Sequence, residues 1–128
     1  MTQLANITIK NGAATPADVT FVAYQPQSGS DSALWYLSGA GSRATWTRAT
    51  LSVRKTNGKG NARRHKLGFN IPIFDAQGVQ IGAIPFSGEL VVPDIAVQAD
   101  IDNAAAYIAN LYASSLIKDT LKTVSPAI

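Results

Sequence analysis

Two stretches of the chain set basic and hydroxyl side chains at every second position, the spacing that collects them on one face of a β-strand. In the first, Arg48, Thr50, Ser52 and Arg54 alternate with Ala49, Leu51 and Val53; in the second, Arg64, Lys66, Gly68 and Asn70 alternate with Leu67, Phe69, Ile71 and Ile73. Guanidinium and ammonium groups neutralise phosphate, and hydroxyl and carboxamide groups hydrogen-bond sugars, phosphates and base edges. A face of this composition therefore suits single-stranded nucleic acid. Trp46 falls on the same side by alternation and can stack on a base, although a tryptophan is more often buried.

The distribution of charge gives this pattern its weight. Net charge is only +3, yet eight of the eleven Lys and Arg residues fall between Arg43 and Lys66, and no acidic residue lies between Asp31 and Asp75. A block of one sign is either a solvated face or the seat of a polyanion. The absence of compensating acids and the shared strand face with hydroxyls favour the polyanion, bound mostly by phosphate neutralisation and hence in a salt-dependent way.

Catalytic chemistry finds little support. The chain has no cysteine, which removes disulfides, thiolate catalysis and zinc-thiolate sites together. His65 is the only histidine, and alternation puts it on the apolar side, where it reads as a packing residue with no nucleophile or carboxylate beside it. Asp100 and Asp102 read as helix-start residues, Asp100 as the N-cap, before they read as a metal or acid-base pair. Glu89 is expected to pair with Arg54 or Lys66. No P-loop, zincin or nucleophile-elbow spacing occurs. The expectation is a protein that is not an enzyme and needs no metal or cofactor.

The elements that must hold these residues read as a meander of strands followed by helices, an α+β chain. Strands are expected over Leu4–Lys10, Asp18–Tyr24 after an Asn11-Gly12 turn, Ala33–Leu37, Thr45–Lys55, Ala62–Phe74 and Phe86–Val92. The segment Thr56–Asn61 is expected to be a hairpin connection, and Pro85 and Pro93 to bracket the last strand. From Asp100 the period becomes helical: Ile101, Ala104, Ala105, Ile108, Leu111 and Tyr112 form an apolar stripe, and a second short helix is expected from Leu116 to about Val124, capped by Ser114 or Ser115.

A chain of 128 residues with 46% hydrophobic and 15% charged residues fits one folded domain, strands over about 4–92 and helices over about 100–124. Its start lacks a signal-peptide layout and no apolar run reaches membrane-spanning length, so a soluble, intracellular product without membrane contact is expected. A sheet with one apolar face needs a cover, and two modest helices are a small one. Pairing of the last strand with its symmetry mate would let each subunit's helices cross onto the other's sheet, so a homodimer is expected.

The order of elements and several short runs resemble the coat proteins of single-stranded RNA bacteriophages, the leviviruses. The strongest run is Gly41–Lys55 (GSRATWTRATLSVRK), in which Ser42-Arg43 precedes an Ala-Thr-Leu-Ser-Val-Arg strand similar to the family's Val-Thr-Cys-Ser-Val-Arg. Arg63-Arg64, Pro72, the run Gly88–Pro93 (GELVVP) and the ending Leu111–Ile128 add to it. The resemblance implies a dimer with a continuous ten-stranded antiparallel sheet. It implies that many dimers close into an icosahedral shell, the virion coat, assembled in the bacterial host cytoplasm around single-stranded RNA. It also implies binding of a genomic RNA hairpin that represses translation, with Thr50 and Ser52 matching residues that contact an unstacked adenine and Lys66 and Ser87 falling where the family uses polar contacts. Gly68 stands where a lysine is familiar and Pro85 where an aromatic residue stacks on a base, so a hairpin would be read with other residues there. The segment between Pro72 and Phe86 looks shorter than the family's loop. The RNA-contacting set expected from pattern and resemblance is Arg48, Thr50, Ser52, Arg54, Arg64, Lys66, Asn70 and Ser87. The competing expectations are a single-stranded nucleic-acid-binding domain that does not assemble, and a structural oligomer whose basic face meets a protein.

Overall fold

A computed structural model describes residues 2–39, 41–56 and 62–128. These form six strands, β1 (Ile7–Lys10), β2 (Asp18–Gln25), β3 (Ala33–Leu37), β4 (Thr47–Lys55), β5 (Ala62–Phe74) and β6 (Gln80–Pro93), and two helices, α1 (Gln98–Ala113) and α2 (Ser115–Thr123). The strands hydrogen-bond in sequence order, β1 through β6, as an antiparallel meander. Two compact units result, one ending at Val91 and the other running from Val92 to Ile128. The expected α+β order is found, with differences at element ends that have local causes.

The first strand begins at Ile7 rather than Leu4 because side chains take over the ladder. Asn6 Oδ1 accepts the Ala23 N–H at 2.9 Å, and the Ala5 carbonyl accepts the Trp35 indole N–H at 2.8 Å. The β1–β2 connection is organised by Asn11, whose Oδ1 accepts the N–H groups of Ala13 and Ala17. Across the hairpin Thr8 faces Thr20 and Lys10 faces Asp18, joined by a hydroxyl pair at 2.9 Å and an ion pair at 2.7 Å.

Before β4 the chain makes one turn of 3-10 helix, Arg43–Thr45, entered through Gly41 at φ +81° and held by the Thr45 N–H and hydroxyl on the Ser42 carbonyl. The expected strand start at Thr45 moves to Thr47 for that reason. Gln27 extends the pairing of β4 past the end of β3: its carboxamide donates to the Val53 carbonyl and accepts the Val53 N–H. The Thr56 N–H donates to the Ala62 carbonyl, and the expected hairpin loop between them lies, apart from Thr56, outside the described residues.

β5 and β6 are joined by a tight turn at Asp75–Val79, in which Asp75 Oδ1 accepts from the backbone of Gln77 and Val79 and Gly78 takes φ +81°. β6 therefore starts at Gln80, six residues before Phe86, and Pro85 lies inside it rather than ahead of it. A proline is tolerated in the last strand of a sheet, where one side of the backbone has no neighbour in the chain.

Helix α1 begins at Gln98 with Val97 as its N-cap, so Asp100 is not the cap; it sits in the first turn, where an anion meets the positive end of the helix dipole. Asp102 is engaged by Gln98 one turn earlier, Nε2 to Oδ1 at 2.8 Å. Ser114 is the N-cap residue of α2 by position, but its hydroxyl donates back to the Leu111 carbonyl and finishes α1 instead. Val124 ends α2 in the left-handed region at φ 51°, and Pro126 follows.

Among the described residues only Ala33 and Trp35 are buried hydrophobics. On the sheet, Val53, Leu67, Phe69, Ile71 and Ile73 are each more than a third exposed; on the helices, so are Tyr107, Ile108, Leu111, Tyr112, Leu116 and Leu121. Covering such side chains is worth about 1.5–3 kcal/mol apiece, and each unit separately leaves a set of them open.

Candidate nucleic-acid interface

The β4–β5 register separates two chemistries. Arg48 faces Asn70, Thr50 faces Gly68, Ser52 faces Lys66 and Arg54 faces Arg64; in the alternate positions Ala49 faces Phe69, Leu51 faces Leu67 and Val53 faces His65. Opposed residues share a sheet face, so the first four pairs make a basic, hydroxyl-rich surface and the other three an apolar one. His65 thus lies on the apolar side. β3 continues both faces, with Leu34 opposite Thr50 and Tyr36 opposite Arg48 on the basic side, and Trp35 opposite Ala49 on the other.

The basic face is concave in two adjoining places. A depression of about 490 Å³ is lined by Arg48, Thr50, Ser52, Lys66, Asn70 and Ser87 from the expected set, together with Gln25, Ser32, Leu34, Gly68, Phe69 and Phe86. A second, of about 280 Å³, is lined by Ser52, Arg54, Arg64 and Lys66 with Lys55 and Thr56. Ser52 and Lys66 belong to both, so all eight expected residues border one continuous tract. Asn70 Oδ1 is buried there without a hydrogen-bond partner, an acceptor left for an incoming N–H.

Two members of the set are already engaged. Arg54 donates to the backbone carbonyls of Gly29 and Asp31, the latter at 2.9 Å, so it ties the 28–31 turn to the edge of the tract. Glu89 pairs with Arg64, Nε to Oε2 at 3.5 Å, and not with Arg54 or Lys66 as expected. Both partners are about half exposed, 50% and 43%, which makes this a weak surface pair. Removal of Arg54 would loosen a loop as well as remove a charge; Arg48 and Lys66 are the cleaner probes of binding.

Gln25 and Ser32 border the first depression although neither stood out in the sequence. A β-bulge between Ala23 and Gln25 turns Gln25 to face Leu34, and its Nε2 donates to the Ser32 carbonyl at 3.2 Å. Alternation along β2 assigns Gln25 to the opposite side, and no local residue type announces the bulge.

Gly68 has a packing reason. A Cβ there would stand 3.1 Å from the Phe86 carbonyl oxygen and 3.3 Å from Thr50 Oγ1. Its ring neighbour Phe69 stacks on Phe86 at 4.9 Å between centroids, which fixes β6 at that distance. Gly68→Lys is therefore expected to lower stability by about 1–3 kcal/mol, more than the 0.5–1 kcal/mol a strand gains from losing a glycine. The check is a reduced thermal midpoint despite the added cation.

Beside the first depression, Tyr24, Tyr36 and Trp46 form an edge-to-face series, with ring centroids 5.3 Å apart for the tyrosines and 6.2 Å for Tyr36 and Trp46. The Arg43 guanidinium lies 4.6 Å over the Tyr24 ring and donates to its hydroxyl. Trp46 is thus placed as alternation predicts, beside Tyr36 on the basic face.

Compared sequence by sequence with curated proteins, the chain matches none. Among solved structures it superposes on the virus-like particle of bacteriophage NT-214 with a TM-score of 0.84 and 23% identity, covering 99% of this chain and 100% of that one. The virus-like particle of Beihai levi-like virus 21 gives 0.83 and 18% over 99% of both chains. An unassembled bacteriophage coat protein dimer described as RNA-binding gives 0.70 and 18% over 98% of both. These likenesses are of fold. The levivirus coat protein profile matches residues 2–127, and by that near-complete match the chain belongs to the levivirus coat protein family.

Proposed function

We propose that this coat protein assembles as homodimers into an icosahedral shell around single-stranded RNA, with residues 1–128 acting as one coat-protein domain and the β4–β5 basic face turned toward the RNA. The observation that carries this is the segregation across one sheet: Arg48, Ser52, Lys66 and their neighbours on one side, Leu51, Leu67 and Phe69 on the other. The apolar side and the open helix stripe call for a second copy, since a C2 pairing covers both in each subunit at once. The particles formed by two of the structural relatives and the RNA-binding dimer formed by a third support the same reading.

The expected set Arg48, Thr50, Ser52, Arg54, Arg64, Lys66, Asn70 and Ser87 is the RNA contact surface in this reading. Lys66 and Arg48 neutralise phosphate, Thr50, Ser52 and Ser87 hydrogen-bond, Asn70 accepts a base amino group, and Arg54 and Arg64 frame the second depression. A hairpin in the genome held in the same tract would make the protein a translational repressor as well as a virion component assembled in the bacterial host cytoplasm.

The test is purification from a heterologous host followed by size-exclusion chromatography with absorbance at two wavelengths. The reading requires particles of roughly megadalton size, far beyond a standard two-subunit interface, that carry host RNA. A dimer that binds RNA without assembling would support the non-assembling nucleic-acid-binding alternative; RNA-free particles would overturn the role of the basic face.

A further inference from the structure

We infer that Tyr24, Tyr36 and Trp46, together with Arg43, form a second element of the basic face that takes one unstacked base of single-stranded RNA, outside the β4–β5 depressions. The inference rests on the reading that this face binds RNA and adds a position for a base that neither depression provides.

Four observations converge on the cluster. Tyr36 lies opposite Arg48, and Arg48 borders the larger depression, so the aromatic series begins where that depression ends. Trp46 is four residues from Thr50 along the chain, about 13 Å in extended geometry, so a strand whose phosphates cross Arg48 brings a different nucleotide to the rings from the one at Thr50. The interplanar angles of 79° and 76° are edge-to-face, in which one ring offers an edge and the other a face, so the series is not closed by parallel stacking of its own rings. Tyr24 is 52% exposed, wide open for an aromatic residue beside uncompensated arginines.

The polar groups fit a nucleotide too. Arg43 is held against Tyr24, where it can neutralise the phosphate attached to a base that packs on the cluster. Trp46 Nε1 is shielded and has no hydrogen-bond partner, a donor that a base carbonyl or phosphate oxygen would satisfy. An acidic protein segment would satisfy Arg43 but has no use for ring faces, and no acidic residue of the chain lies between Asp31 and Asp75 to neutralise the cluster from within.

The experiment is a titration of the purified protein at low salt with an eight-nucleotide oligouridylate, followed by tryptophan emission and by anisotropy of a labelled copy. Trp35, 6% exposed on the opposite face, supplies the unresponsive background. Bound RNA should quench emission in the wild type and fail to do so in Trp46→Phe, which still binds. Tyr24→Ala should weaken binding about 5- to 150-fold, the equivalent of one base–aromatic stack, with the slope of log K against log salt unchanged because no phosphate contact is lost. Tyr24→Phe, which keeps the ring, should bind like the wild type. Wild-type binding with an ordinary salt slope, no quenching and an unaffected Tyr24→Ala would overturn the aromatic site and leave the RNA face standing. An unbound oligonucleotide in the wild type would overturn both.

Discussion

Trp35→Ala is expected to destabilise the protein by about 3–5 kcal/mol and to leave little or no assembled material. Trp35 is 6% exposed, the larger of the two buried hydrophobics among the described residues, and it sits opposite both Ala23 and Ala49 in the middle of the sheet. The cross-strand partners on either side are alanines, too small to fill the space that the indole would leave. The indole N–H also anchors the stretch before β1 through the Ala5 carbonyl, a hydrogen bond worth about 1 kcal/mol. Against a total stability of about 5–15 kcal/mol for a domain, the combined loss is a large fraction. Trp35→Phe separates the two contributions: it keeps most of the packing and should cost about 1–2 kcal/mol. Urea unfolding followed by circular dichroism measures both variants without depending on the tryptophan signal.

The second large effect is electrostatic. Arg48→Ala combined with Lys66→Ala should reduce packaged RNA severalfold and flatten the salt dependence of RNA binding. Each phosphate contact to a single strand contributes about 0.7 to the slope of log K against log salt, so two lost contacts per subunit should remove about 1.4. Neither residue makes an ion pair among the described residues, in contrast to Arg64, and neither holds a loop as Arg54 does. The pair Lys118→Ala and Lys122→Ala removes the same charge from α2 and should leave the slope where it was. An equal response in both double variants would mean that the RNA sees only net charge.

What could be read from the sequence was whatever repeats with a fixed period. Alternation in β4 and β5 assigned Arg48, Ser52, Arg54, Arg64 and Lys66 to one side and Leu51, Leu67 and Phe69 to the other without error, because a half-exposed strand must separate polar from apolar at every second residue. The apolar stripe of α1 was legible for the same reason. Single-residue events escaped. The bulge near Tyr24 brings Gln25 into the tract and the side chain of Asn6 replaces ladder hydrogen bonds, both through partners many residues away, whereas the turn at Arg43–Thr45 that delays β4 is held locally by Ser42 and Thr45. Pro85 was misleading in a physical way: proline signals a strand boundary only where its missing N–H is needed. Asp100 was misplaced as a cap because aspartate is favoured both at the N-cap and in the first turn, and type alone does not separate the two. Glu89 meets Arg64 rather than Arg54 because β6 lies beside β5, which carries Arg64, and one strand further from β4, which carries Arg54.

The family resemblance carried the shell, whereas the residues carried the two-faced sheet and the expectation of a homodimer. At Gly68, the family's familiar lysine position, the Phe86 carbonyl would stand 3.1 Å from a Cβ, a tight contact that a larger residue has to relieve, and the neighbouring cation on the same face is Lys66.

The most direct measurement is ultraviolet crosslinking of RNA within purified particles, followed by mass spectrometry of the nucleotide-bearing peptides. Crosslinks are expected on peptides from β3 to β6 that contain Tyr36, Lys66 or Ser87, with the α1 tyrosines Tyr107 and Tyr112 unmarked. Crosslinks confined to the helices, or to peptides bearing only the apolar positions of the sheet, would contradict that expectation.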